Sequence, residues 1–156
     1  REKIKILVSA CLLGENCKYS GGNNYNQAVC DFARGHQVVL VCPEVLGGLP
    51  TPRCPAEIVQ GVVTNKEGIN VDREFRAGAA EAPAIAKENG VELAILQSRS
   101  PSCGVKEIYD GTFSGTKIPG QGVFAKMLMD EGIRVLDAGE LPKIILKNED
   151  GKCQSN

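Results

Sequence analysis

The sequence predicts an α/β domain of three layers, with helices on both faces of a parallel, Rossmann-like sheet. Two observations support this prediction. Four short aliphatic runs have the continuous apolar character of strands that are buried on both faces. A segment with a helical pattern lies between each run and the next. The runs are residues 4–10, 37–41, 93–96 and 133–136.

The segments between these strands carry helix signals. Residues 25–34 and residues 123–131 each predict a short helix. From Asn70, which we expect to be an N-cap, apolar residues recur at helical spacing as far as Asn89. Pro83 interrupts this pattern. Because proline lacks a backbone donor and crowds the preceding turn, we expect it to kink this helix or to divide it in two.

Two further segments are rich in residues that interrupt regular structure. Residues 43–57 contain four prolines and two glycines, so we expect a shaped loop without long regular structure. Residues 109–122 are rich in glycine. The length of 156 residues is usual for one domain, and the sequence contains no repeat or linker. We therefore expect residues 1–156 to form a single domain.

The composition argues against several classes of protein. The formal net charge of -1 does not favour bulk electrostatic binding of nucleic acid. No apolar run approaches the roughly 18 residues that span a bilayer. Residues 1–5 lead into a strand-like run and do not resemble a signal peptide. We therefore expect a cytoplasmic protein without a membrane partner.

The cysteine count is the unusual feature of the composition. The chain has seven cysteines and one histidine. An odd number of cysteines, without a secretory signal, favours metal binding or catalysis over a disulfide framework. A metal site in this chain would depend on thiolate ligands.

Three of the cysteines are placed alike. Cys11 and Cys42 directly follow two predicted strands, and Cys103 follows a third after a short loop. Ligands of open α/β sheets bind in the crevice at the carboxyl ends of the strands, so all three are expected to face one crevice. Their convergence predicts a soft metal or an iron-sulfur cluster. The alternative is that they are small apolar core residues.

The other cysteines lack this placement. Cys17 and Cys54 lie in loops near the crevice, where they either line it or are structural. Cys30 is expected to pack on a helix, and Cys153 lies in the tail. His36 precedes a strand on the far edge from the crevice, and no nucleophile-elbow motif is present, so a serine nucleophile of the hydrolase type is not expected.

Four segments, in this order along the chain, resemble the signature segments of a known family. They are ACLLGENCKYSGGNN, VCPEVLGGLPTPR, RSPSCG and YDGTFSGTKIPGQGV. The family is a small bacterial and archaeal one, long described as a domain of unknown function, and it is related to iron-sulfur-dependent thiouracil desulfidases. The resemblance extends over residues 4–136. It implies a [4Fe-4S] cluster held by three cysteines, matching Cys11, Cys42 and Cys103, with one iron left open.

The resemblance also implies a reaction, namely the hydrolytic, non-redox desulfuration of a thiolated pyrimidine such as 2-thiouracil. An open iron is a Lewis acid that suits a soft thiocarbonyl sulfur. Glu44 is placed to act as general base on the attacking water, although a carboxylate there can instead cap a helix. Ser100 resembles the family's catalytic serine and is expected to bind the substrate or relay a proton, with Ser102 as its competitor.

A nucleotide substrate would need an anion site. Its candidates are Arg53, Arg99 and the amides of Gly47 and Gly48. Structural salt bridges are an equal alternative for both arginines.

The expected partner is a small thiolated base or nucleoside, and RNA is not favoured. Two other functions remain open. One is a sulfur transferase or desulfidase that acts on thiolated tRNA. The other is a non-catalytic binding module stabilised by zinc, for which a fourth cysteine such as Cys17 or Cys54 would have to join, because structural zinc takes four protein ligands.

Overall fold

The computed structural model of the protein describes residues 4–140. In this part of the chain, strands and helices alternate around a central sheet. The strands are β1 (Lys5–Ser9), β2 (Gln37–Val41), β3 (Ala56–Val59), β4 (Val62–Asn65), β5 (Leu93–Leu96), β6 (Glu107–Tyr109), β7 (Lys117–Pro119) and β8 (Arg134–Asp137). The helices are α1 (Gln27–Ala33), α2 (Pro43–Leu46), α3 (Asp72–Ala80), α4 (Ala82–Asn89) and α5 (Val123–Asp130).

The central sheet is parallel, with the strand order β2-β1-β5-β8. Alternate residues of its strands pack into two separate cores. Leu7 of β1 belongs to the core that includes Phe75 of α3 and Phe124 of α5. Ile6, the neighbour of Leu7, belongs to the core that includes Val29 of α1. Helices therefore cover both faces of the sheet, and the predicted three-layer α/β fold is confirmed.

Pro83 divides the long helical pattern into α3 and α4, as the sequence predicts. It lies in the first turn of α4, where a missing backbone N–H costs no hydrogen bond. The expected N-cap at Asn70 is wrong by one residue, because Val71 occupies that position. Asn70 Oδ1 instead accepts a hydrogen bond from the amide of Asp72 at 2.9 Å.

Two antiparallel hairpins, β3-β4 and β6-β7, were not expected from the sequence. Their strands have three or four residues, too few for an alternating pattern to be recognised. The segment 43–57, expected to be irregular, contains the single helical turn α2 and the first residues of β3. Both hairpins follow loops that leave the carboxyl edge of the central sheet.

Helix α2 is held tightly against α3. A Cβ atom at Gly47 would overlap the carbonyl oxygen of Glu74, and one at Gly78 would overlap that of Pro43. The two backbones approach this closely because both positions are glycine. The contact positions the start of α2, and with it the segment from Cys42 to Glu44.

No helix among residues 4–140 has the length and apolarity that crossing a membrane requires.

Candidate active site

A cavity of about 570 Å³ lies at the carboxyl edge of the sheet. Cys11 reaches it from the 3-10 turn after β1, Cys42 from the end of β2, and Cys103 from the loop after β5. The three thiols therefore share one cavity, in the arrangement that the sequence predicts for them. Their role as ligands stays a prediction.

Each of these cysteines is held by its own loop. Asn24 Nδ2 donates to Cys11 Sγ at 3.5 Å, and the Asn24 amide donates to the Cys11 carbonyl at 2.9 Å. Cys42 is the N-cap residue of α2, and its thiol donates to the carbonyl of Cys17 at 3.7 Å. The amide of Cys103 donates to Ser100 Oγ at 3.0 Å. These bonds orient the three thiols within the cavity.

The cavity disfavours negative charge on Cys11 and on Cys103. Burial raises the pKa of Cys11, a hydrogen bond from Asn24 opposes this, and the nearby Cys42 thiol raises it further. Burial also raises the pKa of Cys103, and the Glu44 carboxylate adds to the effect. Thiolates in such a place need a cationic partner, because burial and like charge both oppose ionisation.

The donor set fits an iron-sulfur cluster. Cys11, Cys42 and Cys103 are free thiols and line a single cavity. Soft thiolates are the usual ligands of such clusters, and a cationic cluster would offset the cost of ionising buried thiols. Within residues 4–140, no three histidine, cysteine or acidic side chains are placed to hold a single metal ion.

Cys17 is a fourth thiol in the same cavity. Burial raises its pKa to about 12, with further contributions from Cys42 and Cys11. Cys54 is half-buried and is not among the residues that line the cavity. Cys30 lies on α1, as expected, and Cys153 lies outside the described residues.

Glu44 lines the cavity and has partners on both carboxylate oxygens. Arg53 contacts Oε1 through Nε and Nη2, each at 2.9 Å. Ser102 Oγ donates to Oε2 at 2.9 Å. The Glu44 and Arg53 side chains are 15% and 7% exposed, respectively. The carboxylate is therefore oriented by a largely buried ion pair, in the first turn of α2.

Arg53 does not offer a free anion site, although it lines the cavity. Besides Glu44, its guanidinium donates to the carbonyl of Cys17 at 2.9 Å. It also donates to the Pro50 carbonyl and to Thr51 Oγ1, both at 3.0 Å. Each N–H of the Arg53 guanidinium therefore has an acceptor, and Arg53 joins α2 and the loop of Cys17 to its own loop; its role in binding an anion stays a prediction.

The two serines form a chain that leads to Glu44. Ser100 Oγ accepts the amides of Ser102 and Cys103, both at 3.0 Å, and lies 2.9 Å from Ser102 Oγ. Because Ser102 donates its hydroxyl proton to Glu44, it must accept the proton of Ser100. The order of donation is therefore Ser100 to Ser102 to Glu44. Ser102 is 1% exposed, so Ser100 is the member of the pair that is more open to the cavity.

The start of α5 holds this serine loop in place. The amides of Phe124 and Ala125 donate to the Ser102 carbonyl at 2.9 and 3.0 Å. The amide of Val123 donates to the Pro101 carbonyl at 2.8 Å. These amides have no partner within their own helix, so the loop supplies the acceptors that the helix start lacks.

Of the remaining candidates for an anion site, Arg99 lines the cavity, whereas Gly47 and Gly48 do not. Arg99 lines the cavity, and its Nε lies 3.8 Å from Glu107 Oε2, with both side chains about half exposed. The amides of Gly47 and Gly48 each donate at 3.0 Å, to Pro43 and Val45 respectively, and neither glycine lines the cavity. These amides close α2, and their expected role in binding an anion stays a prediction.

His36 lies where the sequence predicts, at the edge of the sheet beside β2. Its Nδ1 accepts the amide of Ile4 at 3.2 Å. It takes no part in lining the cavity.

Several residues that line the cavity were missed by sequence reasoning. Asn24 and Phe113 belong to motif segments that carry the resemblance, yet neither residue has a chemical signature of its own. Glu57, which binds the backbone of the loop around Phe113, lies outside those segments. No local pattern could have identified it, because its partners lie more than 50 positions away along the chain.

Comparison with known proteins shows the family of the chain. A family model described as 2-thiouracil desulfurase matches residues 6–140. The uncharacterised protein YbbK of Bacillus subtilis is 41% identical over 150 residues, which cover 90% of this chain and 99% of YbbK. The solved structure of the [4Fe-4S]-dependent thiouracil desulfidase TudS is similar with a TM-score of 0.83 and 39% identity, over 94% of this chain and 99% of that chain. The resemblance noted in the sequence is confirmed: the chain belongs to the 2-thiouracil desulfurase family.

Proposed function

We propose that this protein is an iron-sulfur-dependent desulfidase that hydrolyses a thiolated pyrimidine such as 2-thiouracil. The thiocarbonyl and water give a carbonyl and hydrogen sulfide, with no net change in oxidation state. One observation carries the proposal: the cavity that collects Cys11, Cys42 and Cys103 also contains Glu44 and Ser100. Thiol ligands and groups able to move a proton thus face the same space.

In this proposal Cys11, Cys42 and Cys103 hold a [4Fe-4S] cluster with one iron left open, and Cys17 is not a ligand. The solved relative TudS is described as [4Fe-4S]-dependent. When bound, such a cluster supplies a Lewis acid that is soft enough to accept a thiocarbonyl sulfur. The raised pKa of Cys11 and of Cys103 agrees with thiols that ionise when they bind a cationic group.

The proton chain of the serines activates the attacking water. Ser100 Oγ releases one of its two amide hydrogen bonds and takes a proton from water through that lone pair, as it passes its own proton to Ser102 and Ser102 passes its proton to Glu44 Oε2. The backbone amide that stays bound to Ser100 Oγ stabilises the charge that develops there during transfer. Glu44 then returns the proton to the departing sulfur, which leaves as HS⁻, and the second proton of the water is released to solvent as the carbonyl forms. Arg53 keeps the carboxylate in position throughout.

The size of the cavity favours a small substrate. Sites for small molecules have volumes of about 300–1,000 Å³, and this cavity has about 570 Å³. A free thiolated base or a nucleoside is therefore the proposed partner, in preference to thiolated tRNA.

The test is sulfide release from 2-thiouracil by protein that has been reconstituted with iron and sulfide without oxygen. We expect sulfide and uracil in equal amounts, with no consumption of an added reductant. Cys11→Ala should abolish release, whereas Cys54→Ala, outside the cavity, should preserve it. Cluster-loaded wild-type protein that releases no sulfide, or Cys11→Ala protein that retains full activity, would overturn the proposal.

A further inference from the structure

Phe113 has an unusual backbone conformation. Its φ angle of 57° lies in the left-handed region, which is an outlier for a bulky side chain. Phe113 is half-buried and lines the cavity. Strained residues persist only where the surrounding structure imposes the conformation, and they cluster at ligand sites.

Glu57 of β3 imposes this conformation. Its Oε1 accepts the amide of Phe113 at 3.1 Å and the amide of Gly111 at 3.0 Å. A Cβ atom at Gly111 would lie 2.7 Å from the carbonyl oxygen of Ile58, so this loop rests directly on the backbone of β3. The carboxylate thus fixes both sides of the turn that carries the phenylalanine.

The rest of the loop is also cross-linked. Asp110 Oδ1 accepts from the amide of Thr112 at 3.0 Å and from its hydroxyl at 2.6 Å. The Asp110 amide donates to the Thr116 carbonyl at 2.9 Å. The loop therefore presents Phe113 from a rigid support.

Gln60 is an informative contrast. It has a similar φ of 50°, but it lies with Gly61 in the two-residue turn of the β3-β4 hairpin, where positive φ is required by the turn. Gln60 is exposed and does not line the cavity. In the loop of Phe113, the other positive-φ positions, Gly111 and Gly115, are glycine. Phenylalanine at position 113 costs more backbone strain than glycine would, and this cost indicates that its ring has a function.

We propose that Phe113 is the aromatic wall against which the planar ring of the thiolated pyrimidine stacks, and that Glu57 is the positioning residue that holds it there. This inference rests on the proposed function, because it assumes a flat aromatic substrate. Stacking between an aromatic side chain and a base is tolerant of substituents and adds binding affinity without a change in the chemistry.

The experiment measures the Kd of 2-thiouracil, the kcat and the Tm for cluster-loaded protein in the absence of oxygen. Phe113→Gly removes the ring and relieves the backbone strain. We expect its Kd to rise about tenfold, while its Tm stays unchanged or increases. Phe113→Tyr keeps the ring and should bind like the wild type. Gln60→Gly is the matched control, and its Kd should not change.

Glu57 is tested by coupling. Glu57→Gln keeps a carbonyl acceptor and should bind like the wild type, whereas Glu57→Val should weaken binding as Phe113→Gly does. The double variant Glu57→Val/Phe113→Gly should bind no more weakly than Phe113→Gly, because both changes remove the same wall. Additive effects would overturn the role of Glu57.

The outcomes separate this inference from the proposed function. A Kd for Phe113→Gly within about twofold of the wild-type value, with normal turnover, overturns the stacking role and leaves the enzyme assignment intact. Binding that depends on Phe113 without any sulfide release supports stacking and counts against the proposed reaction. No binding of 2-thiouracil to the wild type overturns both.

Discussion

The Ser102 hydroxyl donates a hydrogen bond of 2.9 Å to Glu44 Oε2, across 58 positions of the chain. This bond connects the loop after β5 with the first turn of α2, and both of these segments carry a cavity cysteine. It also makes Ser102 the buried link between Glu44 and Ser100.

Ser102→Ala should lower kcat about a hundredfold, the usual contribution of a positioned proton-transfer group. The KM for 2-thiouracil should change little, because Ser102 is buried and makes no exposed contact. Ser102→Thr, which keeps the hydroxyl, should recover much of the loss. Steady-state kinetics check this result, with the exposed Ser20→Ala as control. A Ser102→Ala enzyme with normal kcat would show that Glu44 works without the chain.

The cysteine variants should divide into two groups by iron content. Cys11→Ala, Cys42→Ala and Cys103→Ala should each retain little of the reconstituted cluster, because a three-thiolate site cannot spare a ligand. Cys17→Ala should keep its iron even though Cys17 lines the same cavity. Iron analysis and the visible absorption spectrum of protein prepared without oxygen measure this division. Loss of iron from Cys17→Ala would make Cys17 a fourth ligand.

Arg53→Met should destabilise the fold by about 3 kcal/mol, since it leaves a buried carboxylate unpaired. The Arg53 side chain is 7% exposed and its partner Glu44 is 15% exposed. Arg76→Met is the control, because its ion pair with Asp72 lies within one helix and the Arg76 side chain is 52% exposed. That change should cost less than about 1 kcal/mol. Urea unfolding of both variants gives the comparison, and equal losses would contradict it.

Gly78→Ala should destabilise the protein by about 2 kcal/mol, although alanine is the better helix former. The added methyl group would overlap the Pro43 carbonyl and push α2 away from α3. Gly35→Ala is the matched control, since a Cβ atom there meets nothing within 4 Å. We expect its free energy of unfolding to stay within about 0.5 kcal/mol of the wild-type value. A neutral Gly78→Ala variant would show that α2 can move freely.

Hydrogen bonds from Thr112 lower the pKa of Asp110. A lowered folded-state pKa means that Asp110 adds stability above its unfolded pKa, and that this stability disappears as the pH falls through the lowered value. Thr112→Val should raise the pKa of Asp110 toward its ordinary value, as measured by carboxyl NMR titration. Thr64→Val, whose hydroxyl is bonded to the Val62 carbonyl, should leave that pKa unchanged. An Asp110 pKa that is unaffected by Thr112→Val would contradict this account.

The sequence by itself determined the layered fold and the meeting of Cys11, Cys42 and Cys103. The four aliphatic runs of the central sheet are local patterns, and Pro83 acts on its own helix. Once the strands are parallel, their carboxyl ends lie at one edge, so residues that follow those ends must converge. This step places Cys11 and Cys42 directly, whereas Cys103 follows Leu96 by a loop whose path the fold decides.

Only the tertiary structure decided how the side chains of the cavity are oriented and which of them already have hydrogen-bond or ion-pair partners. The sequence indicates Arg53 as a candidate anion site. In the structure it is paired with Glu44 and with the carbonyl of Cys17, which lies 36 positions from Arg53 along the chain. Glu57 has no motif, yet it holds the loop of Phe113 from 56 positions away. Hydrogen bonds and ion pairs between distant loops depend on the path of each backbone to within a few tenths of an ångström. Residue type and spacing do not encode that path, whereas burial and backbone geometry in the folded chain do.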